Sequence, residues 1–210
     1  LIGAGLAGPL MATYLAKLGF TIEIYERRSD MRKIELPAGR SINLALSKRG
    51  IIALKEVGIF DNIKPFIIPM SGRMIHNETG DTNFQPYGQK DSEVIYSISR
   101  AKLNMELMNL AEVSGRVSIF FNHKLLKSDL DKGELVFDKK VVSFSKVFGC
   151  DGSSSVLRDE IVKQTKTLFF QKPLGHGYKE LTIPASESNK YQIDSNVLHI
   201  WPRGNFMMIA

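Results

Sequence analysis

The chain has a single cysteine, Cys150. It therefore cannot close a disulfide within itself, and such sparse thiol usage fits a reducing compartment. No apolar run approaches the roughly 20 residues that cross a bilayer, and no secretory leader is visible. A cytoplasmic location is expected, with an anchor outside these residues left open. The four histidines, His76, His123, His176 and His199, fall in no metal-ligand spacing and Cys150 gives them no partner, so no metal site is expected. The G-x-S-x-G elbow of a serine nucleophile is missing, and the serines around Ser153 read as a helix cap. The charge is +6, but the basic residues are scattered and no basic stripe interleaved with aromatics occurs, so a solvated surface is favoured over a nucleic-acid partner. With 210 residues, 43% hydrophobic and 24% charged, the composition is that of a globular protein with one large or two small domains.

The most informative stretch is the first. Leu1-Ile2-Gly3-Ala4-Gly5-Leu6-Ala7-Gly8 runs from an apolar strand into glycines spaced G-x-G-x-x-G. Gly3 permits a tight turn, Gly5 lets backbone N–H groups approach a pyrophosphate, and Gly8 lets the next helix pack closely. That helix is predicted to start near Ala7, with Leu10, Met11, Tyr14, Leu15 and Leu18 at helical spacing and Gly19 as its cap. Thr21–Glu26 reads as a second strand. Glu26 closes it eighteen residues after Gly8, where an acidic residue accepts hydrogen bonds from the ribose of an adenine dinucleotide; the alternative is a solvated strand end. A glutamate here favours FAD or NAD over NADP.

Arg27–Lys33 forms a basic loop. Arg40, beside Ser41 and Asn43, suits contact with phosphate or a flavin edge, or a loop tied by local hydrogen bonds. Ser47 is expected to cap a helix carrying Ile51, Ile52 and Leu54 and ending at Gly58. Residues 63 to 96 are punctuated by Pro65, Pro69 and Pro86; there Arg73–His76, followed by Glu78–Asp81, reads as a hairpin arm and turn inserted between α/β elements. A helix follows Arg100, with Leu103, Leu107, Leu110 and Ala111 on one face. Strands are expected at 117–121, 124–128 and 134–138, and another at 141–149 that ends in Asp151-Gly152, a turn plus helix cap on its own terms. From Thr167 onward strands are predicted at 177–183, 197–201 and 206–210, with a turn at Pro202–Asn205.

The glycine fingerprint with Glu26, the Arg40 loop and Asp151-Gly152 leading to Arg158 together resemble the FAD-dependent aromatic hydroxylases. Within that family, Gly39–Ser47, Pro69–His76, Pro86-Tyr87-Gly88, Phe121–His123, Val147–Gly152, His176–Ile183 and Leu198–Arg203 are most similar to members that act on L-kynurenine. The resemblance implies a Rossmann-like α/β FAD-binding domain (1–61 and 97–163) interleaved with a β-sheet substrate domain (62–96 and 164–210). It implies FAD contacts at Ala7, Tyr25, Glu26, Arg27, Arg28, Ala45, Arg100, Leu125 and Asp151. It also implies NADPH and O2 as co-substrates and oxygen transfer through a flavin C4a-hydroperoxide. Arg73 and Tyr87 match the pair that holds the kynurenine carboxylate, and Leu198, Ile200, Met207 and Ile209 match the wall around its ring. On residue type alone Arg73 is also a surface arginine, Tyr87 a packed aromatic and the four apolar residues a core face.

Only Leu1 and Ile2 precede Gly3, and the chain stops in an apolar run, so a fragment lacking the extreme N-terminus and a C-terminal half is expected. A hydroxylase of another aromatic substrate and a non-catalytic dinucleotide-binding module are competing readings. A nicotinamide dehydrogenase would continue into a second β-α-β half after residue 60, where this chain has its proline-punctuated insertion.

Overall fold

A computed structural model describes residues 1–34 and 42–210; Arg40 lies outside them. The α/β chain divides into two compact units, one from Leu1–Pro37 and Leu103–Lys179, the other from Ala38–Lys102 and Glu180–Ala210. The chain passes from the first to the second, back to the first and again to the second, and residues 43–46 pair with the strand at 95–99 within the second.

In the first unit, Ile2 bridges in parallel to both Tyr25 and Gly149. Strand β1 (Ile22–Tyr25) pairs in parallel with a strand at Val117–Phe120. The parallel layer thus runs Val117–Phe120, β1, Ile2, Gly149. Helix α1 (Ala7–Lys17) follows the glycine turn. Its spacing is helical as expected, but the buried positions are Gly8, Pro9, Ala12, Thr13 and Ala16, while Leu18 is 74% exposed and Met11 is also exposed. Small residues face the sheet because the helix lies too close for larger ones. Ala4, Ala12, Ala16, Ile22, Ile24, Met108, Ala111 and Val117 form that core.

A second core of Ile2, Tyr25, Leu125, Leu135, Phe137 and Leu157 includes residues of an antiparallel meander and a helix. Before these elements, the second unit contributes β2 (Asn43–Leu46), α2 (Lys48–Val57), α3 (Phe60–Ile63), β3 (Ile68–Met70), β4 (Gly72–His76), β5 (Thr82–Pro86) and β6 (Ile95–Ser99). Then come α4 (Arg100–Val113), β7 (Val117–Phe120), the meander β8 (Leu125–Asp129), β9 (Glu134–Phe137) and β10 (Val141–Ser143), and α5 (Val156–Thr165). Leu103, Leu107 and Ala111 of α4 are buried, as their spacing predicts.

In the second unit β2, β6 and β3 form an antiparallel sheet, and β5, β4, β11 (Leu198–Arg203) and β12 (Phe206–Ile209) form a mixed one in which β4 and β11 run parallel. The hairpin expected after His76 is present as β4–β5. Ser47 stands at the head of α2 without a side-chain cap bond, and Gly58 ends α2 in the left-handed conformation. Residues 43–46, read from sequence as loop, are strand because β6 supplies a ladder.

Of the strand expected over 141–149, only β10 pairs with β9, and Gly149 forms a separate bridge to Ile2. The strand expected at 177–183 does not form; no strand among the described residues pairs with it, and Leu181 and Ile183 are exposed. The expected turn at 202–205 shrinks to Gly204-Asn205, since Pro202 and Arg203 remain paired with Met207 and Phe206, the two-residue connection that a twisted hairpin favours. No helix among the described residues is long and apolar enough to cross a membrane.

Candidate functional site

The glycine turn is shaped by backbone proximity. Gly3 N donates to Tyr25 O at 2.8 Å and Cys150 N to Ile2 O at 2.7 Å, which draws three chain segments together. Gly3 has φ +99°, and a Cβ there would lie 2.5 Å from Cys150 O. A Cβ on Gly8 would overlap Gly3 O, whereas one on Gly5 would meet nothing within 4 Å among the described residues. Two glycines are therefore needed for packing and the third opens onto free space. Helix α1 begins there with no side-chain cap on its first N–H groups, an arrangement suited to phosphate. Ala7 opens that helix, with its side chain exposed.

Glu26 is 5% exposed, which overturns the solvated alternative. Its Oε2 accepts the Ala4 N–H at 2.8 Å, and its Oε1 accepts Arg28 N at 2.9 Å and Arg28 Nε at 2.8 Å. Arg28 Nη2 also reaches Oε2, at 3.5 Å, so protein donors approach all of the carboxylate's roughly four acceptor positions, and a ribose hydroxyl would have to replace this last, long contact. Burial pushes its pKa up, but the Arg28 guanidinium and the backbone N–H groups of Ala4 and Arg28 outweigh this and hold it below the ordinary value. The unfolded chain thus binds the proton more readily, so the stabilisation is complete above the unfolded pKa of about 4.3 and fades as pH falls through the lower folded value. The loss of melting temperature in Glu26→Gln should accordingly shrink below about pH 4.3. A loss that stayed constant from pH 6 to pH 3 would show that the carboxylate's charge contributes nothing.

The other predicted cofactor contacts divide between main chain and side chain. Tyr25 is buried, its ring 5.1 Å from that of Phe120 and 4.5 Å from that of Phe137, and its hydroxyl donates to Glu23 at 2.6 Å. Leu125 belongs to the same core. Both side chains are thus taken up by packing, and the Tyr25 N–H and carbonyl are bonded to Leu1 O and Gly3 N. Arg27 and Arg28 are exposed. Asp151 caps α5: its Oδ1 accepts from Ser155 Oγ at 2.6 Å and its Oδ2 from Val156 N at 2.9 Å, while Ser155 Oγ accepts from Arg158 N. The turn-plus-cap reading therefore describes its carboxylate, though its backbone adjoins Gly3. In the second unit, Ala45 pairs with Ser97 and Arg100 N donates to Ile42 O, so exposed Ala45 and Arg100 lie on neighbouring segments.

Sequence spacing gave no reason to single out Asn104. It is buried in α4, and its Nδ2 donates to Ala4 O at 3.0 Å. The available signal was a carboxamide next to the apolar stripe of Leu103, Leu107 and Ala111.

A second constellation lies on the four-stranded sheet. Arg73 is opposite Leu198, and Ile200 is opposite both Ile75 and Ile209. Met207 is two residues from Ile209 and opposite Pro202. Paired and alternate residues of a sheet share a face, so Arg73, Leu198, Ile200, Met207 and Ile209 all project from the same one. The Arg73 guanidinium lies 5.2 Å from the Tyr87 ring centroid, and the Tyr87 hydroxyl is buried without a hydrogen-bond partner among the described residues. The opposite face carries His76, His199 and Trp201, with His76 Nε2 and His199 Nδ1 2.8 Å apart.

The FAD binding domain family matches residues 1–172. Kynurenine 3-monooxygenase of Myxococcus xanthus (strain DK1622) is 45% identical over 100% of this chain and 46% of its own length. The enzyme of that name from Sus scrofa is 44% identical over 100% of the chain and 45% of its own. The chain spans about half the length of the curated relatives it matches. Among solved structures, the tetrameric form of 2-methyl-3-hydroxypyridine-5-carboxylic acid oxygenase has a TM-score of 0.63 at 22% identity, covering 76% of this chain and 40% of that one. PqsL of P. aeruginosa in complex with 2-aminobenzoylacetate has a TM-score of 0.62 at 16% identity, covering 82% and 46%. These structural likenesses concern the fold alone, whereas the family match covers most of the chain and includes the whole glycine turn. The chain belongs to the FAD binding domain family.

Proposed function

We propose that this chain forms the FAD-binding part and one wall of the substrate site of a monooxygenase that converts L-kynurenine to 3-hydroxykynurenine, consuming NADPH and O2 and releasing NADP+ and water. The observation that carries the substrate reading is the Tyr87 hydroxyl, buried without a partner among the described residues, with the Arg73 cation against the same ring. A buried hydroxyl left unpaired is costly, and a carboxylate would accept from it while also taking the guanidinium's paired donors. The names of the relatives support the same substrate.

The glycine turn and Glu26 fit FAD: open space at Gly5, uncapped N–H groups at α1 and a buried acidic acceptor. The redox chemistry, hydride acceptance from NADPH and activation of O2, is supplied by FAD when bound. The chain's own residues bind and orient. Arg73 and Tyr87 hold the amino-acid end, and Leu198, Ile200, Met207 and Ile209 offer an apolar surface to the ring and exclude water from it. The ring's amino group activates the neighbouring carbon, so no protein base is required.

The test is NADPH oxidation by the complete FAD-loaded protein with and without L-kynurenine, with the product weighed by mass spectrometry. Stimulated oxidation with a product heavier by one oxygen is expected. Substrate-independent oxidation that yields only H2O2 would remove kynurenine as the substrate.

A further inference from the structure

Asn104 lies in a stretch of α4 where Leu103, Leu107 and Met108 are buried with it. Its Nδ2 bonds Ala4 O at 3.0 Å and lies 3.2 Å from the Met31 sulfur, while its Oδ1 is buried with no partner among the described residues. Turning the amide round would set its oxygen against the Ala4 oxygen, two acceptors facing each other. A leucine of similar size would fill this place without burying unused polar capacity. The amide's contribution is therefore its donor to Ala4.

That bond fixes more than one atom. The Ala4 carbonyl and the Gly5 N–H belong to a single planar trans peptide and point in opposite directions. Holding the carbonyl on Asn104 turns the Gly5 N–H away from α4. The preceding peptide is held as well, because Ala4 N–H donates to Glu26 and Gly3 O packs where a Gly8 side chain would lie. Glu26 and Asn104 thus take the two backbone polar groups of Ala4, the residue next to Gly5.

We propose that Asn104 is a positioning residue for dinucleotide binding, orienting the Ala4–Gly5 peptide so that the Gly5 N–H is presented to the pyrophosphate. It acts through Ala4, and the assignment rests on the FAD reading of the glycine turn.

The test uses the complete protein stripped of flavin, with FAD affinity read from quenching of flavin fluorescence and ADP affinity from competition. Asn104→Leu should weaken FAD and ADP alike by about tenfold, the effect of one lost hydrogen bond that leaves a buried carbonyl unpaired. Asn104→Asp, which keeps the shape and lacks the donor when ionised, should weaken both at least as much, and it carries the test if the leucine variant fails to fold. Leu107→Ala serves as the comparison for a purely structural loss: it should lower the melting temperature of the flavin-free protein and leave FAD affinity within about twofold. FAD binding by both Asn104 variants within twofold of a parent that binds normally would overturn the role of Asn104 alone. A parent that takes up no FAD would overturn the dinucleotide reading and this assignment with it.

Discussion

Gly3→Ala is expected to unfold the first unit, whereas Gly5→Ala is expected to leave it folded and abolish tight FAD binding. A methyl group on Gly3 would sit 2.5 Å from Cys150 O and 2.8 Å from Cys150 C, and φ is +99°. Neither neighbour can rotate away, because both are backbone atoms of the segment that bridges Ile2 to Gly149. The left-handed conformation alone costs about 1–3 kcal/mol in a residue with a side chain. The collision adds to this, against a total stability of about 5–15 kcal/mol for a typical domain. Gly8→Ala should behave like Gly3→Ala, since its Cβ would overlap Gly3 O. At Gly5 no atom of the described residues lies within reach of the methyl, so it occupies only the space a pyrophosphate would enter. Thermal melts of the flavin-free variants, set beside FAD titrations, separate the two cases. A Gly5→Ala protein that binds FAD as tightly as the parent would mean the phosphates lie elsewhere.

How much of this was legible depended on the range of the interaction. Gly8, Gly19 and Gly58 declare themselves locally, because each answers to a backbone conformation or a close approach within its own turn, whereas Gly3 answers both to its own positive φ and to the distant Cys150. Glu26 was found by its distance along the chain, but its burial and its bond to Ala4 depend on how β1 lies beside the first strand. Residues 43–46 and 177–183 were misread for one reason: a strand is defined by its partner, and β6 supplies one to the first segment while no strand does so for the second. On α1 the large apolar residues suggested the buried face, yet the closeness fixed by Gly8 favours small residues, so Ala12 and Ala16 are buried while Met11 and Leu18 are exposed. Asn104 was hidden because its partner is a backbone carbonyl 100 residues away.

The alternation within 198–200 and 207–209 was readable, and with it the idea of two one-sided apolar strands. That Arg73 shares their face was not. It follows from the parallel pairing of β4 with β11, which sets Arg73 opposite Leu198, and a parallel neighbour brought from 125 residues away leaves no mark on local spacing.

This shared face makes Arg73→Ala the most informative change in the second unit. Arg73 is exposed, lies over the Tyr87 ring and has no ion-pair partner among the described residues, so its removal should disturb the fold little. If it holds the kynurenine carboxylate, the loss is that of charge-assisted hydrogen bonds, about 1.5–3 kcal/mol, or roughly a 10- to 150-fold rise in KM with FAD content unchanged. Arg73→Lys should fall between, because an ammonium keeps the charge and cannot form the paired fork. Tyr87→Phe should raise KM by less, for one neutral hydrogen bond of about 0.5–1.5 kcal/mol. It should also raise the melting temperature of the substrate-free protein, because it deletes a buried hydroxyl that has no partner among the described residues. Steady-state kinetics and melting curves on the same preparations test both residues. An unchanged KM in Arg73→Ala would return that arginine to the surface, and a lowered melting temperature in Tyr87→Phe would show that the hydroxyl is already satisfied without substrate.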